Sequence, residues 1–229
     1  MELQKEARLP MMMHAGRVCR VLVVDDHPII HEGLTMMISQ MPDLRVEWNA
    51  YDVKQALEIC KSNTPDVAVI DISLGDGSGI ELVKTLHARW PLLPILVMSI
   101  HDDTLYAGRA LRAGARGYLM KHAAAKNIID ALRQVRDGHI YVSDRAQSQL
   151  LERAIAGVDF DLSSSVASLS DRELEVFNLI GKGLKKAEIA AMLHRSVNTV
   201  EAHRASIKKK LKVHTSAELA KLAFHFSEE

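Results

Sequence analysis

Three short runs in the first half of the chain are apolar at every position: VLVV at 21–24, VAVI at 67–70 and ILVM at 95–98. A strand with one face in water alternates apolar and polar residues, because successive side chains point to opposite sides. A strand apolar throughout must be covered on both faces, as in a parallel sheet between two layers of helices. The intervening segments fit that demand. The runs RVLVV, RVEWNA, DVAVID, PILVMS and GYLMK read as strands. HPIIHEGLTMMISQ, VKQALEICK, IELVKTLHARW, TLYAGRALRAG and KNIIDALRQVRDG carry helical periodicity, the last two ending at Gly114 and Gly138. Five strand–helix units predict an α/β fold, a doubly wound five-stranded parallel sheet.

The pattern weakens from about Tyr141 to Leu169. RAQSQLLERAIAG is expected to form a linking helix, and DFDLSSSVAS is polar and serine-rich, as interdomain linkers are. An all-helical segment follows, opening on a capping signal at Ser170 or Asp171 with acidic residues in the first turn. The expected domains are a loose N-terminal extension (1–17), an α/β domain (18–143), a partly helical linker (144–168) and a helical domain (169–229).

The chain has 229 residues and no net formal charge, but its charge is unevenly spread. Lys185–Lys212 holds 8 Lys/Arg against 2 Asp/Glu. A concentrated basic segment in a neutral chain predicts contact with a polyanion. Two cysteines, Cys19 and Cys60, suit neither a disulfide framework nor a structural zinc site. No apolar run approaches the roughly 18–20 residues that span a bilayer, and the first residues lack a secretory apolar core. A cytoplasmic protein with no membrane partner is expected.

Ligands of open parallel α/β sheets bind beyond the carboxyl ends of the strands. The polar residues at those ends are Asp25 and Asp26, Asp71, Ser99 and Lys121. One aspartate at a strand end is usually a turn or helix cap; four strand ends that agree are harder to dismiss. Converging carboxylates repel and raise one another's pKa, and a hard divalent cation with oxygen ligands, commonly Mg²⁺, removes that cost.

Asp-Asp, Asp, Ser and Lys on successive strands, 28 residues from Asp71 to Ser99 and 22 from Ser99 to Lys121, resemble the receiver domain of two-component response regulators. The resemblance covers about Val18 to Ser143. It implies a flavodoxin-like sheet of order 2-1-3-4-5 and Asp71 as phospho-acceptor. It also implies Mg²⁺ held by Asp25, Asp26, Asp71 and the backbone carbonyl of Ser73, with Asp25 acting partly through water. Ser99 would hydrogen-bond the phosphoryl group, Lys121 would pair with its charge, and Tyr118 would change rotamer as a switch. Gly75 stands where many receivers have proline, Ile100 is bulky after the switch serine, and Ser73 and His101 flank the acceptor.

KAEIAAMLHRSVNTVEAHRASIKKKLKV reads as helix, turn, helix. In the second helix Val200, Ile207 and Leu211 share one face; Asn198, Glu201, Ala202, Ala205 and Lys208 share the other. Arg204, Lys208, Lys209, Lys210 and Lys212 crowd its second half. Alone, this is an ordinary solvated basic helix; after a scaffold helix and a short turn, its free face suits a major groove and its cations suit phosphates. LSDRELEVFNLIGKGL, EIAAMLH, SVNTVEAHRASIKKKL and SAEL resemble the LuxR-type four-helix helix-turn-helix DNA-binding domain. That resemblance implies DNA contacts from Lys185, Asn198, Thr199, Glu201, Ala202, His203, Arg204 and Lys208. It also implies a last helix that dimerises. Lys185 occupies a position where a small capping residue is usual. Glu201 replaces a frequent lysine; it either accepts from a cytosine amine or pairs within its helix with Arg204 or Lys208.

Together the two resemblances indicate the NarL/FixJ class of response regulators. They imply phosphorylation by a sensor histidine kinase, dimeric binding to promoter DNA, and a further contact with RNA polymerase. One alternative is a phosphorylation-independent transcription factor whose receiver only dimerises. An aspartyl-phosphate phosphohydrolase is disfavoured, because its acid/base aspartate would stand at Ser73, and no enzymatic turnover is expected. His27 and His31, four apart, read as a cap neighbour and a helix-face residue rather than a transition-metal pair.

Overall fold

The computed structural model describes residues 17–75, 77–100, 102–155, 165–193 and 195–228. The expected N-terminal extension, apart from Arg17, the central part of the expected linker and His101 lie outside the described residues. Two compact units divide at Gln147/Ser148.

In the first unit β1 (Cys19–Val24), β2 (Leu44–Ala50), β3 (Val67–Asp71), β6 (Ile95–Ser99) and β7 (Gly117–Met120) form one sheet of order β2-β1-β3-β6-β7. All its neighbours run parallel. A two-residue hairpin, β4 (Ser73–Leu74) and β5 (Gly77–Ser78), interrupts the numbering; the sequence pattern gave no sign of it. Helices α1 (Pro28–Ser39), α2 (Val53–Ser62), α3 (Gly79–Arg89), α4 (Asp103–Ala113) and α5 (Ala124–Arg136) connect the strands, and α6 (Asp144–Ile155) follows.

The sandwich is what the apolar strands require. Val21 and Val23, Val67 and Val69, and Leu96 and Met98 pack with Leu34 and Ile38 of α1 and Ile128, Leu132 and Val135 of α5. The alternate residues Leu22, Val24, Ala68, Ile70, Ile95 and Val97 are equally buried, on the opposite face. Local signals set the helix starts. Pro28 opens α1, and the Asp52 carboxylate accepts from the Gln55 amide at the start of α2.

Register determines which polar residues meet. Val24 lies opposite Ile70, so Asp25 falls level with Asp71. Asp71 lies opposite Met98 and Ser99 opposite Met120, so Ser99 and Lys121 each begin where the neighbouring strand ends. The chain leaves β1 toward β2 on one side and returns to β3 on the other. That divergence opens a crevice above the ends of β1 and β3.

The second unit contains α7 (Asp171–Gly181), α8 (Lys186–Met192), α9 (Val197–Leu211) and α10 (Ser216–Glu228). Phe177 of α7 packs on Phe226 of α10 with ring centroids 5.7 Å apart. Val200, Ile207 and Leu211 bury one side of α9, as its periodicity predicts. A capping box opens α7: the Glu173 amide donates to Ser170 Oγ, and the Ser170 amide donates to the Glu173 carboxylate at 2.7 Å. The same carboxylate accepts from Ser206 Oγ at 2.6 Å and pairs with Lys210, both on α9.

One buried carboxylate therefore ties the start of α7 to the far half of α9. Burial alone raises Glu173; the Lys210, Ser206 and Ser170 hydrogen bonds outweigh it and bring its pKa down from 4.5 to about 2. A depressed carboxyl pKa stabilises the fold above the unfolded value, and that contribution disappears as pH falls through the folded one. Glu173→Gln is expected to lower stability of this unit at pH 7 by about 1–2 kcal/mol. The difference should shrink as pH falls from 4.5 toward 2. Amide-exchange protection of α7 and α9 in both proteins across that range measures it.

Candidate functional site: an acidic crevice and a basic helix

Asp25 and Asp71 are 1% and 2% exposed, an unusual position for two carboxylates. Lys121, the first residue after β7, accounts for much of their tolerance. Its Nζ lies 2.7 Å from Asp25 Oδ2 and 2.9 Å from Asp71 Oδ2. Burial disfavours the Lys121 charge, but Asp71 and Asp25 together outweigh it and raise its pKa, so the ammonium persists. Asp71 is also raised: burial comes first, and the Asp25 charge adds to it, against the pull of Lys121 and the Ser73 amide. Lys121 thus offsets the repulsion without abolishing it. Asp71 Oδ1 has no hydrogen-bond partner among the described residues.

Asp26 sits at the crevice mouth, with Gly75 close by; a Cβ on Gly75 would lie 3.1 Å from Asp26 Oδ2. A side chain at this position would press on the Asp26 carboxylate. Gly79 is tighter still, since a Cβ there would fall 1.9 Å from the Asp71 carbonyl oxygen. Its amide donates to the Ile72 carbonyl at 2.8 Å, folding the hairpin back so that α3 starts against the end of β3.

Ser99 is fully buried at the end of β6. Burial pushes the Tyr118 phenol above its ordinary range, with a hydrogen bond to Ser99 pulling against it and the Asp103 charge adding to the rise. The phenol therefore stays protonated beside the serine. Ser73 is half-buried in β4, and Ile100 is exposed. The structure brings Asp25, Asp26, Asp71 and Lys121 together and couples Ser99 to Tyr118.

Two histidines carry more of this site than their sequence pattern indicates. His31 is a buried residue on the face of α1. Its Nε2 lies 2.7 Å from the Asp25 carbonyl oxygen and its Nδ1 2.8 Å from Asn49 Oδ1. With both nitrogens engaged, it is not half of a metal-binding pair with His27. His27 turns to the aspartates, Nδ1 lying 2.7 Å from Asp26 Oδ1 and 3.2 Å from Asp25 Oδ1. One ligand atom from each of Asp25, Asp26, His27 and Asp71 fits within 4.8 Å of the others. The only sequence signal for His27 was its place directly between the aspartate pair and Pro28.

On α9, Asn198, Thr199, Glu201, Ala202 and Ala205 are exposed, while His203, Arg204 and Lys208 are half-buried. Ser196 caps the helix by accepting from the Thr199 amide at 3.1 Å, and the two hydroxyls lie 2.8 Å apart. Two expectations are corrected. Glu201 pairs with neither Arg204 nor Lys208; its carboxylate lies 3.8 Å from Lys186 of α8. Lys210 is not a free flanking cation, being spent on Glu173 and the Ser168 carbonyl. Lys185 offers no side-chain cap, yet α8 is not left uncapped, because the Glu188 carboxylate takes the Lys185 amide at 2.6 Å.

Asp71→Asn is expected to raise the thermal midpoint by a few degrees in cation-free buffer, on the order of 1 kcal/mol. The sign follows from the raised pKa: a buried carboxyl disfavours ionisation, so the folded state bears that cost at neutral pH and loses it once the group is protonated. The advantage of the variant should therefore vanish as pH falls to 3.8, the ordinary value of the group. Paired thermal melts at neutral and acid pH test this.

Residues 21–133 match the response regulator receiver domain family, and residues 167–223 match the luxR family of bacterial regulatory proteins. The chain is 33% identical over 208 residues to the oxygen regulatory protein NreC of Staphylococcus carnosus, covering 89% of this chain and 96% of that protein. Among solved structures it is similar to RcsB from Salmonella enterica serovar Typhimurium bound to promoter rprA with the phosphomimetic BeF3⁻. That similarity has a TM-score of 0.57 and 25% identity over 90% of this chain and 98% of the other. A LuxR-family two-component response regulator from Aurantimonas sp. SI85-9A1 gives a TM-score of 0.56 and 28% identity over 60% of this chain and 99% of the other. With an acidic crevice in a receiver fold and a helix-turn-helix after it, the chain belongs to the DNA-binding response regulators of the NarL/FixJ class.

Proposed function

We propose that Asp71 is the phospho-acceptor and that its phosphorylation by a sensor histidine kinase controls binding of the second unit to promoter DNA. The observation that carries this reading is the asymmetry of the Asp71 carboxylate. Oδ2 is neutralised by Lys121, while Oδ1 is buried without a hydrogen-bond partner among the described residues. Oδ1 forms the new bond to phosphorus as the phosphorus–nitrogen bond of a phosphohistidine breaks. The electron pair stays with the imidazole, which takes up a proton.

A carboxylate is a weak nucleophile, so positioning and charge neutralisation supply most of the acceleration. The oxygens of Asp25, Asp26 and Asp71 form a hard donor set that fits Mg²⁺. Asp26, Asp71 and the Ser73 carbonyl would hold it directly and Asp25 partly through water. Once bound, Mg²⁺ supplies positive charge to the transferring phosphoryl oxygens. Lys121 follows the charge that arrives on Asp71. Ser99 then turns its hydroxyl to a phosphoryl oxygen and leaves Tyr118, whose rearrangement alters the surface around α4.

Exposed Asn198, Glu201 and Ala202 face base edges, with Thr199 and His203 beside them. Lys185, Arg204 and Lys208 meet phosphates, which position the helix without reading sequence. RcsB dimers bound to DNA support the reading that this chain binds as a dimer, with α10 as the dimerising helix. Contact with RNA polymerase and a cytoplasmic location complete the proposal; among the described residues no helix is long and apolar enough to cross a membrane.

A gel-shift series on a DNA duplex selected from a random pool tests it. An acyl phosphate donor with Mg²⁺ is expected to tighten binding of the wild type about ten-fold or more, a gain of about 1.4 kcal/mol. Asp71→Asn should not respond. Equal affinity of both proteins with and without donor would rule out phosphorylation control while leaving DNA binding intact.

A further inference from the structure

We propose that His27 is a nitrogen ligand in the acidic crevice, so that the site takes a borderline divalent cation such as Mn²⁺ or Co²⁺ with one imidazole and several oxygens. The inference rests on the reading of Asp25, Asp26 and Asp71 as a cation site, and it adds the chemical class of the cation.

Backbone constraints aim the imidazole. His27 precedes Pro28, and the residue before proline is held in extended conformation. Its φ and ψ are −102° and 112°. Its amide donates to Asp25 Oδ1 at 3.0 Å, and His31 fixes the Asp25 carbonyl from the other side. The peptide between the aspartates and the helix is therefore clamped at both ends. The position of the His27 backbone beside the crevice is thereby fixed, and its side chain, 46% exposed, lies against the aspartates.

Separations match coordination. Metal–ligand bonds of about 2.1 Å at right angles place neighbouring ligand atoms about 3 Å apart. His27 Nδ1 lies 2.7 Å from Asp26 Oδ1 and 3.2 Å from Asp25 Oδ1, on either side of that value. A second feature points to a ligand: Asp71, 2% exposed, has a buried Oδ1 without a hydrogen-bond partner among the described residues, and a carboxylate oxygen of Asp71 belongs to the same cluster. His27 Nδ1 faces the carboxylates while the ring lies half in water. Imidazole nitrogen favours Mn²⁺ and Co²⁺ over Mg²⁺, whereas carboxylate and carbonyl oxygens suit Mg²⁺ well.

Full-length wild type, His27→Leu and Asp26→Asn are to be titrated calorimetrically with Mg²⁺, Mn²⁺ and Co²⁺, and the Mn²⁺ forms examined by pulsed electron paramagnetic resonance. Wild type should bind Co²⁺ at least ten-fold more tightly than Mg²⁺, and its Mn²⁺ signal should carry coupling to an imidazole nitrogen. His27→Leu should lose the coupling and about ten-fold in Co²⁺ affinity, with a much smaller change for Mg²⁺. Bound Mn²⁺ without nitrogen coupling, or an unchanged Co²⁺/Mg²⁺ ratio in His27→Leu, would overturn the inference while leaving the cation site standing. Cation binding that is absent, or indifferent to Asp26→Asn, would overturn both readings.

Discussion

The Lys121 ammonium, reaching from the end of β7 to the carboxylates after β1 and at the end of β3, is the interaction on which the crevice depends. Without it, Asp25 and Asp71 would face each other at the buried edge of the sheet with nothing of opposite sign. The sheet order makes the contact possible, because β1 and β3 are neighbours and the staggered register carries the edge outward to β7. The consequence is a site that is neutralised but under-neutralised. One buried oxygen keeps its lone pairs, and a carboxyl at a strand end remains raised. Such a residue gains from receiving a cation or from being esterified, and either event changes what Lys121 and Ser99 hold. On the proposed reading, sensitivity to phosphorylation follows from an incompletely balanced charge cluster.

The helical unit uses a related device for a different end. Glu173 is buried, but its hydrogen bonds satisfy it fully enough to lower its pKa. It locks the basic half of α9 to α7 and removes Lys210 from the cations available to phosphate. The free face of α9 is left with small and polar side chains, Lys208, and Glu201, whose carboxylate is paired with Lys186 of α8. A rigid helix with a few readers, rather than a diffuse basic surface, is what sequence-selective binding needs.

Much of this was legible in the residues. Continuous apolar runs required a sheet covered on both sides, and the polar residue ending each run identified the crevice, because strand ends in a parallel sheet lie on one edge. The periodicity of α9 separated Val200, Ile207 and Leu211 from its exposed face. What was not legible came from distances between segments. Nothing in the string indicates that Lys121 spans both Asp25 and Asp71, that Gly79 must lack a Cβ to pass the Asp71 carbonyl, or that Lys210 turns inward. The histidines show the limit most plainly. Spacing reads His27 and His31 only as a cap neighbour and a helix-face residue, whereas packing sends one to the aspartates and the other to the Asp25 carbonyl and Asn49.

The central claim is that Asp71 carries the phosphoryl group, and chemical mapping addresses it most directly. Wild-type protein treated with an acyl phosphate and Mg²⁺ is reduced with borohydride, which converts an aspartyl phosphate to homoserine, and the peptides are sequenced by mass spectrometry. Homoserine at residue 71 and at no other aspartate is the predicted result. Conversion at Asp25 or Asp26 instead, or at no residue under conditions where the cation is bound, would contradict the account.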